Sequence, residues 1–111
     1  MPEKYPPRAF RYKVTIDQLA GTQDATGAVE KTWTTFTNAW VSIEQLNGSE
    51  RVVAQQLNPD VSVRMWMKWQ DGISPTMRVS YGSRHFDIMA VMDLDGKRRF
   101  LQLLCNERVG S

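Results

Sequence analysis

The stretch AWVSIEQLNGSERVVAQQLNPDVSVRMWMKW, residues 39–69, contains two strand patterns on either side of a long insert. Apolar and polar side chains alternate along residues 40–46 and again along residues 61–68. Alternation with a period of two predicts half-buried β-strands, because successive side chains of a strand point to opposite faces. Residues 47–59 are too many for a hairpin turn, and loops of this length often carry function. We therefore interpret the insert as the functional part of the protein and the two strands as the support that holds it in place.

The insert carries the signals of one short helix. Asn47 is a suitable N-cap, and Glu50 stands three residues later, as in a capping box. Pro59 ends the helix, because proline pushes the residue before it out of helical geometry. A helix of about ten residues is marginal in isolation, so we expect this one to pack against the protein or to stay mobile. The residues that share one helical face are Glu50, Val53, Ala54 and Leu57.

The composition is ordinary for a soluble globular protein. A length of 111 residues predicts a single domain, residues 1–111, with room for one core. The net charge of +2 is too small to indicate nucleic acid or a membrane by itself, and the apolar runs are too short to cross a bilayer. The N-terminal residues lack the apolar segment of a signal peptide. The single Cys105 excludes an internal disulfide, which fits a reducing compartment.

Further strands are predicted on both sides of this stretch. Alternation marks residues 10–16, 29–36, 77–81 and 85–91, and the nearly continuous apolar run 100–105 predicts a central, doubly covered strand. Between them we expect a loop or wide bend at 19–28, a short break at 37–38, a two-residue turn at 82–83, and a hairpin turn at 93–96. The expected fold is all-β: a small antiparallel β-barrel or sandwich of about six or seven strands with one short helix.

Both ends of the chain are polar. Residues 1–8 contain three prolines and should be extended. They form either a tail or an arm that orders against a neighbouring subunit. Residues 106–111 are predicted to be a polar tail.

No constellation of residues indicates catalysis, a metal site or a cofactor. His85 is the only histidine, and it is predicted to be an exposed residue at a strand end. Cys105 lies in an apolar strand and should fill the core. The Asp93–Gly96 segment begins like a calcium loop, but Arg98 and Phe100 stand where further oxygen ligands should follow. We therefore expect turn chemistry there, and no enzyme.

Bases and aromatic side chains are interleaved on the second strand of the opening stretch. Arg64, Trp66 and Lys68 share its polar face, and Trp69 follows. Such a face suits either single-stranded nucleic acid or a protein interface. Residues 97–99, Lys-Arg-Arg, are expected to be a solvated hairpin end.

The order of segments along most of the chain resembles the head–tail joining family of tailed bacteriophages, also called head closure or stopper proteins. Each piece is unspecific alone, and the resemblance lies in their order and spacing. The pieces are residues 11–16 (RYKVTI), 23–24 with Gly27 and 31–33, 39–50 (AWVSIEQLNGSE), 73–79 (ISPTMRV), 81–82 with 86–88, and 99–105 (RFLQLLC).

The resemblance implies a β-barrel that forms a ring below the portal and adaptor, closes the DNA-filled head and docks the tail. It implies a homo-oligomer of about twelve subunits, with about six as the alternative. Tail terminator or tail proteins would lie below, and double-stranded DNA would pass without sequence specificity. The setting is the virion, assembled in the host cytoplasm, without a membrane; gene transfer particles use the same part. The channel-facing loop would contain Asn47, Gly48, Ser49, Glu50, Arg51, Gln55, Gln56 and Asn58.

Subunit or partner contacts are expected from large side chains on polar strand faces, with Trp40 and Trp66 exposed. Two alternatives remain open. One is a tail-completion or tail-terminator protein, and the other is a small-barrel module that binds single-stranded nucleic acid, which predicts a larger positive charge than +2. The expected interface residues are Trp40, Arg64, Trp66, Lys68, Trp69, Tyr5 and Arg8.

Overall fold

A closed antiparallel barrel carries a single helix between its second and third strands in the part of the chain that the structure describes. The computed structural model describes residues 10–23, 29–57, 60–93 and 96–108, and the side chains of these residues apart from 21–31 and 57. The strand order around the barrel is β1-β2-β3-β6-β5-β4. The elements are β1 (Tyr12–Gln23), β2 (Val29–Gln45), α1 (Gly48–Leu57), β3 (Val63–Lys68), β4 (Arg78–Tyr81), β5 (Arg84–Met92) and β6 (Phe100–Arg108). The predicted all-β barrel with its inserted helix is confirmed.

Strands β2 and β3, which flank the insert, pair with each other. Val41 lies opposite Met67 and Gln45 opposite Val63, so β2 and β3 hold α1 at one end of the barrel. On its other side β3 pairs with β6, where Met65 lies opposite Leu103. The barrel closes where β1 meets β4, through a ladder of only three residue pairs, Thr15–Asp17 with Arg78–Ser80.

The lumen of the barrel is filled by the apolar side chains that the period of two assigns to one face. Each fully buried side chain of this size contributes roughly 1.5–3 kcal/mol. The predicted face Val61, Val63, Met65 and Met67 is buried throughout, although Val61 belongs to a different cluster from the other three. The lumen cluster contains Val14, Ile16, Val41, Val63, Met65, Met67, Met77, Val79, Phe86, Ile88, Leu101, Leu103 and Cys105.

A second apolar cluster lies on the outside of the barrel and includes one residue of α1. Leu46, Ala54, Val61 and Leu104 are buried together, and Met89, Ala90 and Met92 pack against them. The strict alternation predicted for residues 85–91 would place Ala90 on the same face as Phe86 and Ile88. That assignment is wrong, because the β5–β6 register shifts between Ile88 and Ala90 and such an irregularity turns the following side chains to the other face.

Three predicted boundaries are corrected by pairing between strands. β1 extends to Gln23 and β2 begins at Val29, so residues 19–23 are strand and not loop. β2 has no break at residues 37–38, and β6 runs into the predicted tail as far as Arg108. Cross-strand pairing overrides local turn propensity in each case. The predicted two-residue turn is confirmed: Tyr81 lies opposite Arg84, and Gly82 has a positive φ of 60°.

The β1–β2 hairpin is longer than the barrel. Its pairs from Gln18–Thr34 to Gln23–Val29 have no third strand beside them among the described residues. The molecule accordingly measures 60 × 27 × 24 Å along its principal axes. A two-stranded ribbon projects from the barrel, with Leu19 46% exposed.

Ion pairs bridge neighbouring strands on the outer wall. Arg84 donates hydrogen bonds to both carboxylate oxygens of Glu107 at 2.8 and 2.9 Å, and Arg108 donates to Asp87 at 2.8 Å. The hydrogen bonds from Arg84 lower the pKa of Glu107 below its ordinary value, and those to Glu107 raise the pKa of Arg84. The Arg84–Glu107 pair therefore favours the folded state while Glu107 is ionised.

We predict that Phe86→Ala destabilises the barrel by about 3–5 kcal/mol, because Phe86 is fully buried and its removal leaves a cavity in the lumen. Chemical denaturation measures the change. The control is Val53→Ala, at a side chain 62% exposed on α1, which should change stability by no more than about 0.5 kcal/mol. Equal effects of the two substitutions would contradict the assignment of the core.

We predict that Glu107→Gln reduces stability near neutral pH and loses its effect in acid. A carboxylate whose pKa is lower in the folded state stabilises above its unfolded pKa of about 4.3 and stops doing so as the pH falls through the folded value. The side chains of Arg84 and Glu107 are 42% and 27% exposed, so the effect should not exceed about 1 kcal/mol. Melting temperatures between neutral and strongly acid pH measure it. The control is Asp71→Asn, at an exposed carboxylate without an ion pair in the described structure, which should leave the acid dependence of the melting temperature unchanged. An effect of Glu107→Gln that does not change with pH would refute the prediction.

Candidate functional site

The predicted helix of the insert is confirmed as α1, and it lies against the outer wall of the barrel. Ala54 is buried in the outer apolar cluster, whereas Val52 and Val53 are 59% and 62% exposed. Val53, which the helical pattern placed on the face of Ala54, lines the same groove as Ala54 and Glu50 but remains exposed. At the first residue of the helix, Gly48 has a φ of 54°, a backbone conformation that glycine adopts without strain. Among the helix residues whose side chains are described, Ala54 is the buried one, and Val52 and Val53 are open to solvent.

One arginine links strands β2 and β3 to helix α1. Arg64 on β3 donates hydrogen bonds from Nε and Nη2 to Glu44 Oε2 on β2, at 3.1 and 2.7 Å. The same Nη2 lies 3.4 Å from Glu50 Oε2 on α1. The Glu44 side chain is 9% exposed and that of Arg64 25%, so this charge pair is partly desolvated. The predicted interface residue Arg64 thus holds β2, β3 and α1 together.

The other predicted loop residues are mostly in contact with solvent. Gln55 is half-buried, and the exposed residues are Asn47, Ser49, Arg51 and Gln56. Glu50 has its side chain 61% exposed and oriented toward Arg64. Asn58 lies outside the described residues. The loop presents a largely neutral polar surface, with Arg51 as a base that has no ion pair in the described structure.

The two tryptophans that were expected to be exposed differ in their burial. Trp40 is 55% exposed, as predicted, but Trp66 is only 4% exposed, so the expectation for Trp66 is wrong. Trp66 lies between Ser42 and Gln102, which are also buried, and its backbone N–H donates to Ser42 Oγ at 3.3 Å. The alternating pattern marked this face as polar, but it could not show that the outer wall is covered here.

The start of the described chain contacts β2 and β6. Arg11 N–H donates to Val41 O on β2, and the ring of Phe10 lies 6.0 Å from that of Phe100 on β6. Because β3 lies between β2 and β6, and Phe100 pairs with Lys68, the chain crosses near the end of β3 at this point. Tyr5 and Arg8, the two interface residues predicted in the arm, lie outside the described residues.

A groove next to this crossing brings three of the predicted interface residues together. Trp40, Lys68 and Trp69 line it, together with Phe10 and Ala39. Lys13 lies directly opposite Trp40 in the β1–β2 ladder and is exposed. The groove is therefore an aromatic surface with lysines beside it.

The structure also brings together polar residues that the sequence did not single out. Ser80 Oγ lies 2.8 Å from Asp17 Oδ2 and 2.9 Å from His85 Nδ1, and Arg78 Nε donates to Asp17 at 3.2 Å. His85 is half-buried here, so the expectation of an exposed residue is wrong. No local signal could have found this group, because Asp17 and Ser80 are far apart in sequence and meet only where the barrel closes.

This group has the residue types of a hydrolase triad but not its hydrogen-bond order. A carboxylate only accepts hydrogen bonds, so the Ser80 hydroxyl donates its proton to Asp17, and His85 Nδ1 must then donate to Ser80. A nucleophilic serine instead donates to the histidine that removes its proton. Because Asp17 and Arg78 belong to the β1–β4 ladder, the arrangement instead connects the two strands that close the barrel.

Other candidate chemistry is limited. Cys105 is fully buried, as predicted, and burial raises the pKa of its thiol, which keeps the thiol protonated. Across the described ranges, His, Cys, Asp and Glu side chains form no group of three that could hold a metal ion. Within the same part of the chain, no helix has the length and apolarity needed to cross a membrane.

Comparison with known proteins identifies relatives of the whole barrel. The family model described as phage head completion protein matches residues 5–108. The solution structure of protein SF1141 from Shigella flexneri 2a is 25% identical, with a TM-score of 0.77 over 92% of this chain and 96% of that chain. A chain in the virion of a native gene transfer agent particle is 16% identical, with a TM-score of 0.62 over 93% and 99% of the two chains, a likeness of fold. A search of curated proteins finds no significant match.

We predict that Arg64→Met frees α1 from the barrel wall without unfolding the barrel. The substitution removes charged hydrogen bonds to Glu44 and Glu50, and such bonds contribute about 1.5–3 kcal/mol each at buried sites and less where exposed. Hydrogen–deuterium exchange at residues 48–57 should become faster by on the order of tenfold, a change of about 1.4 kcal/mol. Exchange at Met65 and Leu103 in the lumen should stay slow. Arg84→Met, which breaks an ion pair away from α1, should leave exchange in the helix unchanged; unchanged exchange in Arg64→Met would show that Arg64 does not hold the helix.

Proposed function

The chain belongs to the phage head completion protein family, and from this membership we propose that it is a structural component of the head–tail connector of a tailed phage or phage-like particle. The match to residues 5–108 is the observation that carries the proposal. The proposed place is a ring below the portal and adaptor, where the protein closes the filled head and docks the tail. Residues 1–111 act as one barrel domain with an N-terminal arm at 1–8. The protein works by assembly and not by catalysis.

The ring requires two different surfaces on each subunit, because a closed ring is built from heterologous contacts. The described residues offer exposed apolar groups on separate elements: Val52 and Val53 on α1, Leu19 on the projecting ribbon and Trp40 on β2. A two-stranded ribbon alone is marginally stable in water, so a contact with a neighbouring subunit would also stabilise it. These features support a homo-oligomer of about twelve or about six subunits.

The loop that contains α1 is proposed to face the DNA channel. A channel must let DNA pass, and each additional lysine or arginine on its wall would hold phosphates through counterion release. Glu50 is directed to Arg64, and Gln55 and Gln56 are neutral, which leaves Arg51 as the loop's unpaired base. Such a surface suits weak contact with double-stranded DNA that is independent of sequence.

The proposed setting is the virion, after assembly in the host cytoplasm, with portal or adaptor above and tail terminator or tail proteins below. The alternative of a single-strand nucleic-acid-binding module is weaker, because Arg64 is occupied by Glu44 and Trp66 is buried. An electron-microscopy map of the particle, with this chain located between portal and tail, tests the position. Density for the chain at the far end of the tail tube would instead favour a tail-terminator role.

We predict that replacing residues 48–58 by a short Gly-rich turn leaves the barrel folded but abolishes retention of DNA in the head. Ala54 is the buried side chain of the described helix residues, and shortening a loop changes its closure entropy by only about 0.6 kcal/mol per halving. Purified heads are assayed for occupancy of the shortened chain and for retained DNA. The control is the double substitution Gln55→Ala and Gln56→Ala, which keeps the length of the loop.

Full occupancy with normal DNA retention would exclude a role of the loop in closure. An unfolded variant, with the control folded, would show that α1 belongs to the core of the protein.

A further inference from the structure

One side of the outer wall combines an exposed tryptophan with several bases. Lys13 on β1 lies opposite Trp40 on β2, and Lys68 at the end of β3 lines the same groove as Trp40. Trp69 continues this groove, and the Arg98 guanidinium lies 5.7 Å from the centre of its ring. We refer to these five residues as the Trp40 face. It extends from β1 to the turn before β6.

The charges of the Trp40 face are not neutralised within the described chain. Neither Lys13 nor Lys68 has a carboxylate within salt-bridge distance among these residues, and both are exposed. Elsewhere on the barrel, arginines on four different strands each face a carboxylate of the same chain. These pairs are Arg64–Glu44, Arg78–Asp17, Arg84–Glu107 and Arg108–Asp87. Among the described residues, Lys13 and Lys68 therefore leave positive charge beside Trp40.

We propose that the Trp40 face docks an acidic segment of a different protein of the same particle. An aromatic side chain surrounded by charged ones is the usual layout of an interaction hot spot, in which the ring anchors and the charges steer and select the partner. Trp40 is 55% exposed and would bury its ring in an apolar contact with this segment. The inference rests on the proposed function, since it takes the partner from the connector.

Most of the carboxylates that the structure describes on the strands of a second copy are already paired. The carboxylates of Asp17, Glu44, Asp87 and Glu107 each hold an arginine of their own chain, and breaking such pairs would leave charges unpaired. Asp71 is the exposed carboxylate without an ion pair among the described residues. Among the described residues, a second copy therefore offers less unpaired negative charge for Lys13 and Lys68 than an acidic segment does, and a link to another copy is an outcome that the test below distinguishes.

Duplex DNA fits the Trp40 face less well than an acidic protein does. Phosphates would satisfy the lysines, but the bases of a duplex are stacked inside it and offer no ring face to an exposed indole. DNA contact would leave the apolar surface of Trp40 in a highly hydrated region. A protein segment can present carboxylates and an apolar pocket at the same time.

The test is zero-length carbodiimide cross-linking of purified particles that contain the wild-type chain. The reagent joins a lysine amine to a carboxylate in direct contact, so mass spectrometry of the products identifies the residue that faces Lys13 or Lys68. The expected product links one of these lysines to an Asp or Glu of another particle protein. Particles made with a mixture of isotopically light and heavy chains identify links between copies. Links to this chain itself, or no links from either lysine, would overturn the proposal.

A pair of double variants tests whether charge carries the contact. Lys13→Glu with Lys68→Glu should reduce incorporation of the chain into particles by at least about tenfold, and Lys13→Arg with Lys68→Arg should incorporate normally. Arg51→Glu, a reversal at an exposed base of α1, is the control away from the face. Because all three sites are exposed, melting temperatures should match the wild type. Equal incorporation of both double variants would overturn the proposal.

A photo-reactive benzoylphenylalanine at position 40 distinguishes the other occupants. Capture of an acidic segment of another protein supports the proposal, whereas capture of DNA or of a second copy contradicts it. Failure of the proposed function is separately visible, because the wild-type chain would then be absent from purified particles. Presence of the chain with the wrong cross-link would reject only the docking inference.

Discussion

Closure of the barrel depends on the short contact between β1 and β4. Every other neighbouring pair of strands has a longer ladder, so this three-pair contact is where the sheet is most easily opened. The buried Asp17 lies at its end, accepts hydrogen bonds from Arg78 and Ser80, and marks the position where the β1–β2 register shifts. Without closure, both strands would expose unpaired edges, which promote aggregation. The polar network of Asp17, Arg78, Ser80 and His85 resembles a catalytic group, but it is better explained as a contact that stabilises the closed barrel.

A closed barrel has a consequence for where function can be located. The lumen is filled with apolar side chains, so it leaves no room for a ligand, and the functional elements must be on the outside. Two such elements are present on different parts of the wall: α1, held by Ala54 and Arg64, and the groove that contains Trp40. The rigid barrel fixes their separation, which is what a component placed between two other assemblies needs.

The sequence predicted the interior of this protein well and its exterior poorly. Residues that alternate with a period of two, such as Val63, Met65 and Met67, were assigned correctly, because the pleat alone determines which way they point. The burial of Trp66 goes with its neighbours Ser42 on β2 and Gln102 on β6, and the polar group around His85 depends on Asp17, which meets Ser80 where β1 pairs with β4. Such outcomes are decided by contacts between distant segments, which no local pattern encodes. The insert itself could be located by its length, and the helix within it by its cap and proline signals.

Arginine and lysine have different surroundings on the outside of the barrel. In the described structure, four arginines on the wall each pair with a carboxylate of the same chain, because the planar guanidinium forms several directed hydrogen bonds and is weakly hydrated, so it suits partly buried contacts. Lys13 and Lys68 lie beside Trp40 in solvent. A lysine keeps its hydration and loses little until a partner arrives, and its charge then acts over a distance and guides association. Among the described residues, arginine thus forms the ion pairs of the wall, whereas Lys13 and Lys68 lie exposed beside Trp40 without one.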